Sequence, residues 1–283
     1  MLPAFELPTP LGYFATLVRE DPGFPLLEAT AAVALDEYPE LDIQQLLGQV
    51  DQMARRLQRR LPADAGPLER LRRLNQFFFG DLAFGGNVNH YYDPDNSYLN
   101  RVLERRRGIP ITLGVLWLEL AQGLGLQARG INFPGHFLVK VSLAQVQVVI
   151  DPFTGQSLGR EDLSERLEPF RRRHGLVDEF EPPVGLYLQS APEREILARV
   201  LRNLKDIQRQ AGDWPRLLQV LERLVILLPE DWSERRDRGL TLADLGRIDE
   251  ARADLEIYLV QAEDAPDHDL IAQRLAQLRG GGA

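Results

Sequence analysis

Residues 108–123 read GIPITLGVLWLELAQG, and Glu119 is the only charged residue among them. A helix that is apolar on nearly all of its faces belongs in the interior of a domain. Pro110 suits the first turn of a helix, where no backbone N–H is needed, and Gly123 suits a helix end. The stretch therefore predicts a buried central helix over 110–123.

Strand patterns follow this helix along the chain. Residues 127–131, 136–141 and 146–150 alternate between apolar and polar side chains or are rich in valine and isoleucine. Segments of this kind, separated by short turns, predict an antiparallel set of strands. With the buried helix and further helical patterns before residue 80, they predict an α+β fold in which the sheet packs on the helix.

A repeat of 34 residues organises the C-terminal part of the chain. Gly212 and Gly246 lie 34 residues apart, and Leu221 and Leu255 align in the same register. A helix-turn-helix unit with this period is the tetratricopeptide repeat. We expect an all-helical domain of two such repeats, followed by a capping helix at 269–278.

A polar and proline-rich segment at residues 181–192 predicts the boundary between the two domains. The predicted domains are therefore residues 1–188, with a helical N-terminal part before the strands, and residues 192–283. Because two repeats form a small domain, we expect the helical part to depend on the first domain for stability.

The composition excludes several classes of protein. None of the 283 residues is cysteine, which excludes disulfides, thiolate metal sites and thiol nucleophiles. No run of about 18 apolar residues is present, so the sequence predicts no membrane span. The N-terminus has no basic segment before an apolar stretch, so we expect no secretory signal and a cytoplasmic protein.

The charge of the chain is negative and unevenly distributed. A net charge of −9 argues against a general affinity for nucleic acid, whose phosphates would be repelled. Residues 230–269 hold 13 Asp or Glu residues and 5 Arg residues, a net of eight negative charges. If the helical repeats hold a protein partner, we therefore expect that partner to present a basic surface.

His136 and Asp151 are the residues that could carry chemistry. His136 begins one predicted strand and Asp151 ends the next, so the two ends of a hairpin would bring them together. A nucleophile for this pair is expected at the start of the buried helix, where backbone amides stabilise an anion. The hydroxyl nearest to that start belongs to Thr112, but a threonine in a first turn more often only caps the helix.

The order of these motifs resembles the transglutaminase-like (papain-related) superfamily. In that superfamily a Gly-x-Cys motif opens the buried helix, and a histidine and an aspartate follow on strands. Gly108, His136 and Asp151 match that order. The resemblance implies that Pro110, or Ile111 if the alignment shifts by one residue, occupies the nucleophile position, and neither side chain can attack a substrate.

Over residues 25–275 the chain is similar to the bacterial SirB-type family, which joins a cysteine-less domain of this kind to tetratricopeptide repeats. The motifs that carry the resemblance are Asn96-Ser-Tyr-Leu, Arg107-Gly-Ile-Pro, Pro134-Gly-His-Phe and Asp151-Pro-Phe. The resemblance implies that the His136–Asp151 pair is vestigial or remains only a candidate for catalysis.

A loop at residues 85–97 is rich in polar and aromatic side chains. We expect Asn89, His90, Tyr92 and Asn96 to line the same pocket as the histidine. The histidines lack the spacing of zinc ligands, and an acidic stretch from Asp93 lacks the glycine of a calcium loop, so no metal site and no cofactor are expected.

Two functions follow from these observations. The first is a non-catalytic interaction or regulatory protein, in which the helical repeats bind a partner or, alternatively, only support the first domain. The second is a cysteine-independent amide hydrolase in which His136 activates a water molecule. The missing cysteine favours the first function, and the polar loop favours the second. The sequence predicts neither the ligand nor the oligomeric state.

Overall fold

The structure, a computed structural model, describes residues 9–20, 23–144, 146–176 and 182–280. The N-terminal residues behind the expectation of no secretory signal, and Glu181 in the predicted boundary segment, lie outside these ranges. The chain divides into two compact units. Residues 20–200 form the larger unit, and residues from Leu201 onward form the other together with the segment that ends at Arg19. The domain limits 1–188 and 192–283 stay a prediction.

The elements confirm the predicted α+β fold with C-terminal repeat helices. In chain order the helices are α1 (Pro10–Leu17), α2 (Leu26–Ala32), α3 (Ile43–Gln58), α4 (Pro67–Asn75), α5 (Leu99–Arg105), α6 (Pro110–Gly123), α7 (Arg160–Arg173), α8 (Glu193–Ala211), α9 (Trp214–Leu227), α10 (Trp232–Asp244), α11 (Ile248–Gln261) and α12 (His268–Gly280). The strands are β1 (Gly85–Gly86), β2 (Arg107–Gly108), β3 (Ala128–Ile131), β4 (Leu138–Ser142), β5 (Gln147–Ile150) and β6 (Ser157–Leu158).

Helix α6 is the centre of the larger unit, and its bounds are those predicted. Every residue from Pro110 to Leu118 is buried. The indole nitrogen of Trp117 donates a 3.0 Å hydrogen bond to Asn75, so the one polar atom of this side chain is satisfied. Helices α2 to α5 and strands β3 and β4 pack around α6, which explains why its sequence is apolar on nearly all faces.

Strands β3 to β6 form an antiparallel sheet in sequence order. The prediction that His136 begins a strand is wrong, because β4 starts at Leu138. Gly135, with φ of +69°, turns the chain, and the backbone N–H of His136 bonds to Phe133 O rather than to the neighbouring strand. His136 therefore lies in the turn that leads into β4.

The helical unit repeats with the predicted period of 34 residues. Helices α9 and α11 begin and end 34 positions apart. The turns before them are closed by Gly212 and Gly246, with φ of +69° and +75°, values that favour glycine. Helix α12 follows as the capping helix. The sequence does not predict that α1 packs on α9, with Phe14 fully buried.

A network of charged side chains is buried inside the helical unit. The side chain of Glu234 is 3% exposed and accepts from Arg202 and Lys205. Lys205 also reaches Asp237 at 2.7 Å, and Arg209 contacts the same carboxylate at 2.6 Å. Buried carboxylates are tolerated in a folded protein only when such cations neutralise them. The network therefore ties α8 to α10.

Among the described residues, no helix combines the length and the apolar composition that crossing a bilayer requires.

Candidate functional site

The side chains of His136 and Asp151 form a hydrogen-bonded pair. His136 Nε2 lies 2.8 Å from Asp151 Oδ1. The register of β4 and β5 pairs Val139 with Ile150, so the residue that follows β5 stands beside the turn that precedes β4. The His136 side chain is 22% exposed and that of Asp151 only 1% exposed. The pair thus presents an imidazole to solvent from a buried carboxylate.

Asp151 is held by three donors from different parts of the chain. Besides His136, the backbone N–H of Phe153 donates to Oδ1 at 2.9 Å, and Arg166 Nη1 lies 3.0 Å from Oδ2. Burial alone would raise the pKa of Asp151, but the His136 hydrogen bond, with smaller contributions from Phe153 and Arg166, lowers it below its usual value. Asp151 is therefore a carboxylate at neutral pH.

Arg166 is a site residue that the sequence does not reveal. It lies on α7, fifteen positions after Asp151, and no motif links the two. Leu163 and Leu167 of the same helix are buried among residues of the sheet, which fixes α7 so that Arg166 faces the carboxylate. Only an expectation that α7 packs on this sheet could have suggested the contact.

The start of α6 carries no free nucleophile. Pro110 occupies the first turn of the helix and is buried. The hydroxyl of Thr112 is fully buried and donates to the carbonyl of Asn96 at 2.7 Å. One turn into the helix, a Cβ on Gly114 would lie 2.5 Å from the ring of Phe137, so the residue after His136 packs directly on α6.

The loop at residues 85–97 does not gather its predicted side chains into one pocket. Asn89, His90 and Tyr92 are exposed, Tyr92 by 70%. Asn96 is buried, and its side-chain amide donates to the carbonyls of His90 and Tyr91. The side chain of Asn96 therefore cross-links the loop, and its backbone carbonyl connects the loop to α6 by accepting from Thr112.

Tyr91, which no sequence motif marks as a site residue, connects this loop to the pair. Its ring lies 6.0 Å from that of Phe153, whose N–H binds Asp151. On the other side, Tyr91 interacts electrostatically with Arg199, and burial raises the pKa of Tyr91 and lowers that of Arg199. Arg199 Nη1 in turn donates to the Phe133 carbonyl, the acceptor that also binds the N–H of His136. These contacts join the loop, the His136–Asp151 pair and Arg199 into one network.

In the described part of the chain, no group of three or more histidine and carboxylate side chains could hold a metal ion. The chemistry available at the site is that of an oriented imidazole, two arginines and a tyrosine hydroxyl.

Comparison with known proteins agrees with this architecture. Residues 44–202 match the family described as Transglutaminase-like superfamily, and residues 204–276 match the family described as Tetratricopeptide repeat. The fold and the site thus define a transglutaminase-like domain followed by tetratricopeptide repeats.

The chain is 36% identical over 271 residues to a UPF0162 protein of Xylella fastidiosa, covering 92% of both chains. It is 28% identical over 208 residues to Protein SirB1 of Salmonella typhimurium, covering 73% of this chain and 75% of the relative. A crystal structure of menin matches with a TM-score of 0.42 and 13% identity, over 94% of this chain and 73% of menin. The chain belongs to the bacterial family of transglutaminase-like proteins that includes the UPF0162 proteins and SirB1.

Proposed function

We propose that this protein is a non-catalytic transglutaminase-like protein that binds a protein partner through its tetratricopeptide-type helices. The observation that carries the first half is the start of α6, where Pro110 stands and the Thr112 hydroxyl is already bonded to Asn96. An imidazole can activate a nucleophile only when the two are in hydrogen-bond contact. The chain has no cysteine to supply one.

The His136–Asp151 pair then has a structural role. Asp151 joins the turn before β4, the turn after β5 and helix α7 through three hydrogen bonds. Such a junction stabilises the sheet whether or not the imidazole reacts, because the buried Asp151 carboxylate has its hydrogen bonds satisfied by three separate parts of the chain.

A cysteine-independent amide hydrolase is the second candidate function. It is favoured by the partial exposure of His136, whose Nε2 is oriented by a carboxylate, as a general base toward water would require. The nearby Tyr91 and Arg199 would be available to bind a substrate.

Amide turnover distinguishes the two functions. We expect the full chain to release neither ammonia from benzyloxycarbonyl-Gln-Gly nor p-nitroaniline from acyl p-nitroanilides above the buffer rate, because no nucleophile contacts His136. His136→Ala should leave this baseline unchanged, and His174→Ala, which removes an exposed histidine on α7's C-terminal side, serves as the matched control. Turnover that His136→Ala abolishes and His174→Ala retains would establish the hydrolase instead.

The partner-binding half of the proposal is supported by an exposed surface on the second repeat, which we call the α11 surface. It consists of Ile257, Val260, Glu263 and Asp264. Ile257 and Val260 are 39% and 67% exposed, and they lie three residues apart on one face of the helix. Most carboxylates nearby are bound by arginines, such as Asp254 by Arg238. Glu263 and Asp264 have no ion pair within the described ranges and remain available to a basic partner.

Reversal of these two charges tests the partner. The full chain is used to capture proteins from a bacterial lysate, and Glu263→Lys with Asp264→Lys should abolish capture of the bound protein. Capture should also fall between 0.1 M and 1 M salt, where the Debye length shortens from about 10 Å to about 3 Å. The matched control reverses Glu40 and Asp64, two exposed carboxylates of the other unit. If the Glu263/Asp264 variant and the Glu40/Asp64 variant capture the same amount of protein, or if the wild type captures none, the partner proposal is wrong. The repeats would then serve only to stabilise the first domain.

A further inference from the structure

The larger unit contains a cleft of ≈ 660 Å³ that is separate from the His136–Asp151 pair. Helices α2, α3 and α6, strand β3 and the first turn of α8 line it. Its apolar wall is formed by Phe24, Leu47, Val115, Leu118 and Ile196. A cleft of this volume is in the range that binds a small ligand or a few side chains of a partner.

Glu119 places a single carboxylate in this apolar wall. It is the only charge on α6 and is less than half exposed. No hydrogen bond or ion pair joins it to any other residue in the part of the chain that the structure describes. Burial, and to a lesser extent the charge of Asp51, raises the pKa of Glu119. A desolvated carboxylate without a partner destabilises the fold, so its presence on this helix needs another explanation.

The charges that surround Glu119 favour a cation as the ligand. Glu28 faces the cleft from α2, Asp51 from α3 and Glu193 from α8. Among the described lining residues, the one cation is Arg129 of β3, whose guanidinium donates to the carbonyl of Ala128 and makes no ion pair with Glu119. Glu28 accepts a 3.5 Å hydrogen bond from Gln44, and Asp51 lies 4.0 Å from Arg55 of its own helix. The described lining therefore holds more carboxylates than cations, and Glu119 is the carboxylate on its apolar wall.

We propose that this cleft binds an arginine side chain of a protein partner, with Glu119 as the acceptor of its guanidinium. A guanidinium is more weakly hydrated than an ammonium group, so it enters a partly apolar cleft at lower cost. Its planar set of donors can reach the Glu119 carboxylate and the amide oxygens of Gln44 or Gln122, which also line the cleft. This inference rests on the proposed partner being a protein, and it adds a contact outside the tetratricopeptide helices.

The cleft can be tested without knowing the partner. Acetyl-arginine amide is titrated into the full chain and followed by the backbone amide NMR signals of Val115, Gln122 and Gly130. The arginine compound should shift these signals, acetyl-lysine amide should bind more weakly, and acetyl-citrulline amide, which has the same shape without the charge, should not bind. Glu119→Gln should weaken arginine binding about ten- to a hundredfold, the loss of one charge-assisted hydrogen bond. The matched control Glu161→Gln, an exposed glutamate of α7, should bind as the wild type does.

Binding should also depend on pH with a known sign. As the pH falls through the raised pKa of Glu119, the carboxylate becomes neutral and its attraction for a guanidinium is lost, so affinity decreases toward acid. Glu119→Gln should lack this dependence and should melt no lower than the wild type at neutral pH, because the amide removes a desolvated charge. A normal melting temperature therefore separates lost binding from misfolding.

Three results would overturn the proposal. They are equal binding of the citrulline compound, equal binding of the lysine compound, and undiminished arginine binding by Glu119→Gln. Failure of the proposed function can be told apart from failure of the cleft proposal. Lysate capture through the α11 surface can fail while acetyl-arginine amide still binds the cleft. If acetyl-arginine amide binds and no arginine-bearing partner is captured, the ligand of the cleft is a free guanidinium compound. The assignment of that guanidinium to a protein partner would then be wrong.

Discussion

Replacing Glu234 with alanine is expected to cost about 3–5 kcal/mol of unfolding free energy, the usual penalty for breaking a buried ion pair from one side. The substitution removes one of the two acceptors of Arg202, which keeps Asp231, and one of the two acceptors of Lys205, whose side chain is only 10% exposed. Its ammonium would keep Asp237 as a partner but lose half of its neutralising charge. The Lys205 ammonium would then remain buried between α8 and α10 with one carboxylate partner instead of two.

The measurement is urea unfolding followed by tryptophan fluorescence, since Trp214 and Trp232 both lie in the helical unit. Glu256→Ala is the matched control, because Glu256 forms an exposed pair with Arg279, and exposed pairs contribute about 0–1 kcal/mol. A Glu234→Ala protein that unfolds at the same urea concentration as Glu256→Ala would show that the buried network adds no stability.

Asp151→Ala is expected to destabilise the larger unit by about 1.5–3 kcal/mol, the usual contribution of hydrogen bonds to a charged group. The alanine leaves the Arg166 guanidinium, the His136 ring and the Phe153 N–H without their shared acceptor. Asp151→Asn keeps one acceptor oxygen and should cost less. Trp117, which lies in the larger unit, reports this transition.

The pH dependence of this contribution follows from the lowered pKa of Asp151. The folded protein holds the carboxylate charged to lower pH than the unfolded chain does, so the stabilisation is fully present above the unfolded pKa. It is lost as pH falls through the lower folded pKa. Asp151→Asn should therefore show a flatter loss of stability as the pH falls below the usual aspartate pKa of about 4. The control Asp64→Ala, at an exposed position with no ion pair to any described residue, should follow the wild type. Equal acid sensitivity of Asp151→Asn and the wild type would contradict this account.

The sequence predicted those features that depend on local pattern. Helix α6 was predictable to the residue because its apolar composition, Pro110 and Gly123 are all contiguous. The repeat was predictable because Gly212 and Gly246 mark the same turn twice. The proximity of His136 to Asp151 followed from hairpin geometry, although the turn at Gly135 shifts the start of β4 by two residues.

The remaining features depend on long-range packing that leaves no periodic signal. Arg166 and Arg199 reach the site from helices that follow it in the chain. The residues around each arginine predict an amphipathic helix, but they do not predict that the arginine contacts the site. Strands β1, β2 and β6 have two residues each, too few for an alternating pattern. The polar character of Asn96 suggests a pocket residue, but its side chain is buried and donates to two backbone carbonyls of its own loop, which holds the loop closed.

The tetratricopeptide-type stack also determines where the protein opens first. Helix α9 is flanked by α1 and α10, whereas α12 packs mainly on α11. In a linear array each element is stabilised only by its neighbours, so an element at the end has the lowest free energy of local opening. Local opening is therefore expected to begin at α1 and α12, which each pack mainly on one helix of this unit, and to progress inward from them, so these two helices are the described parts of the unit that a protease should reach first.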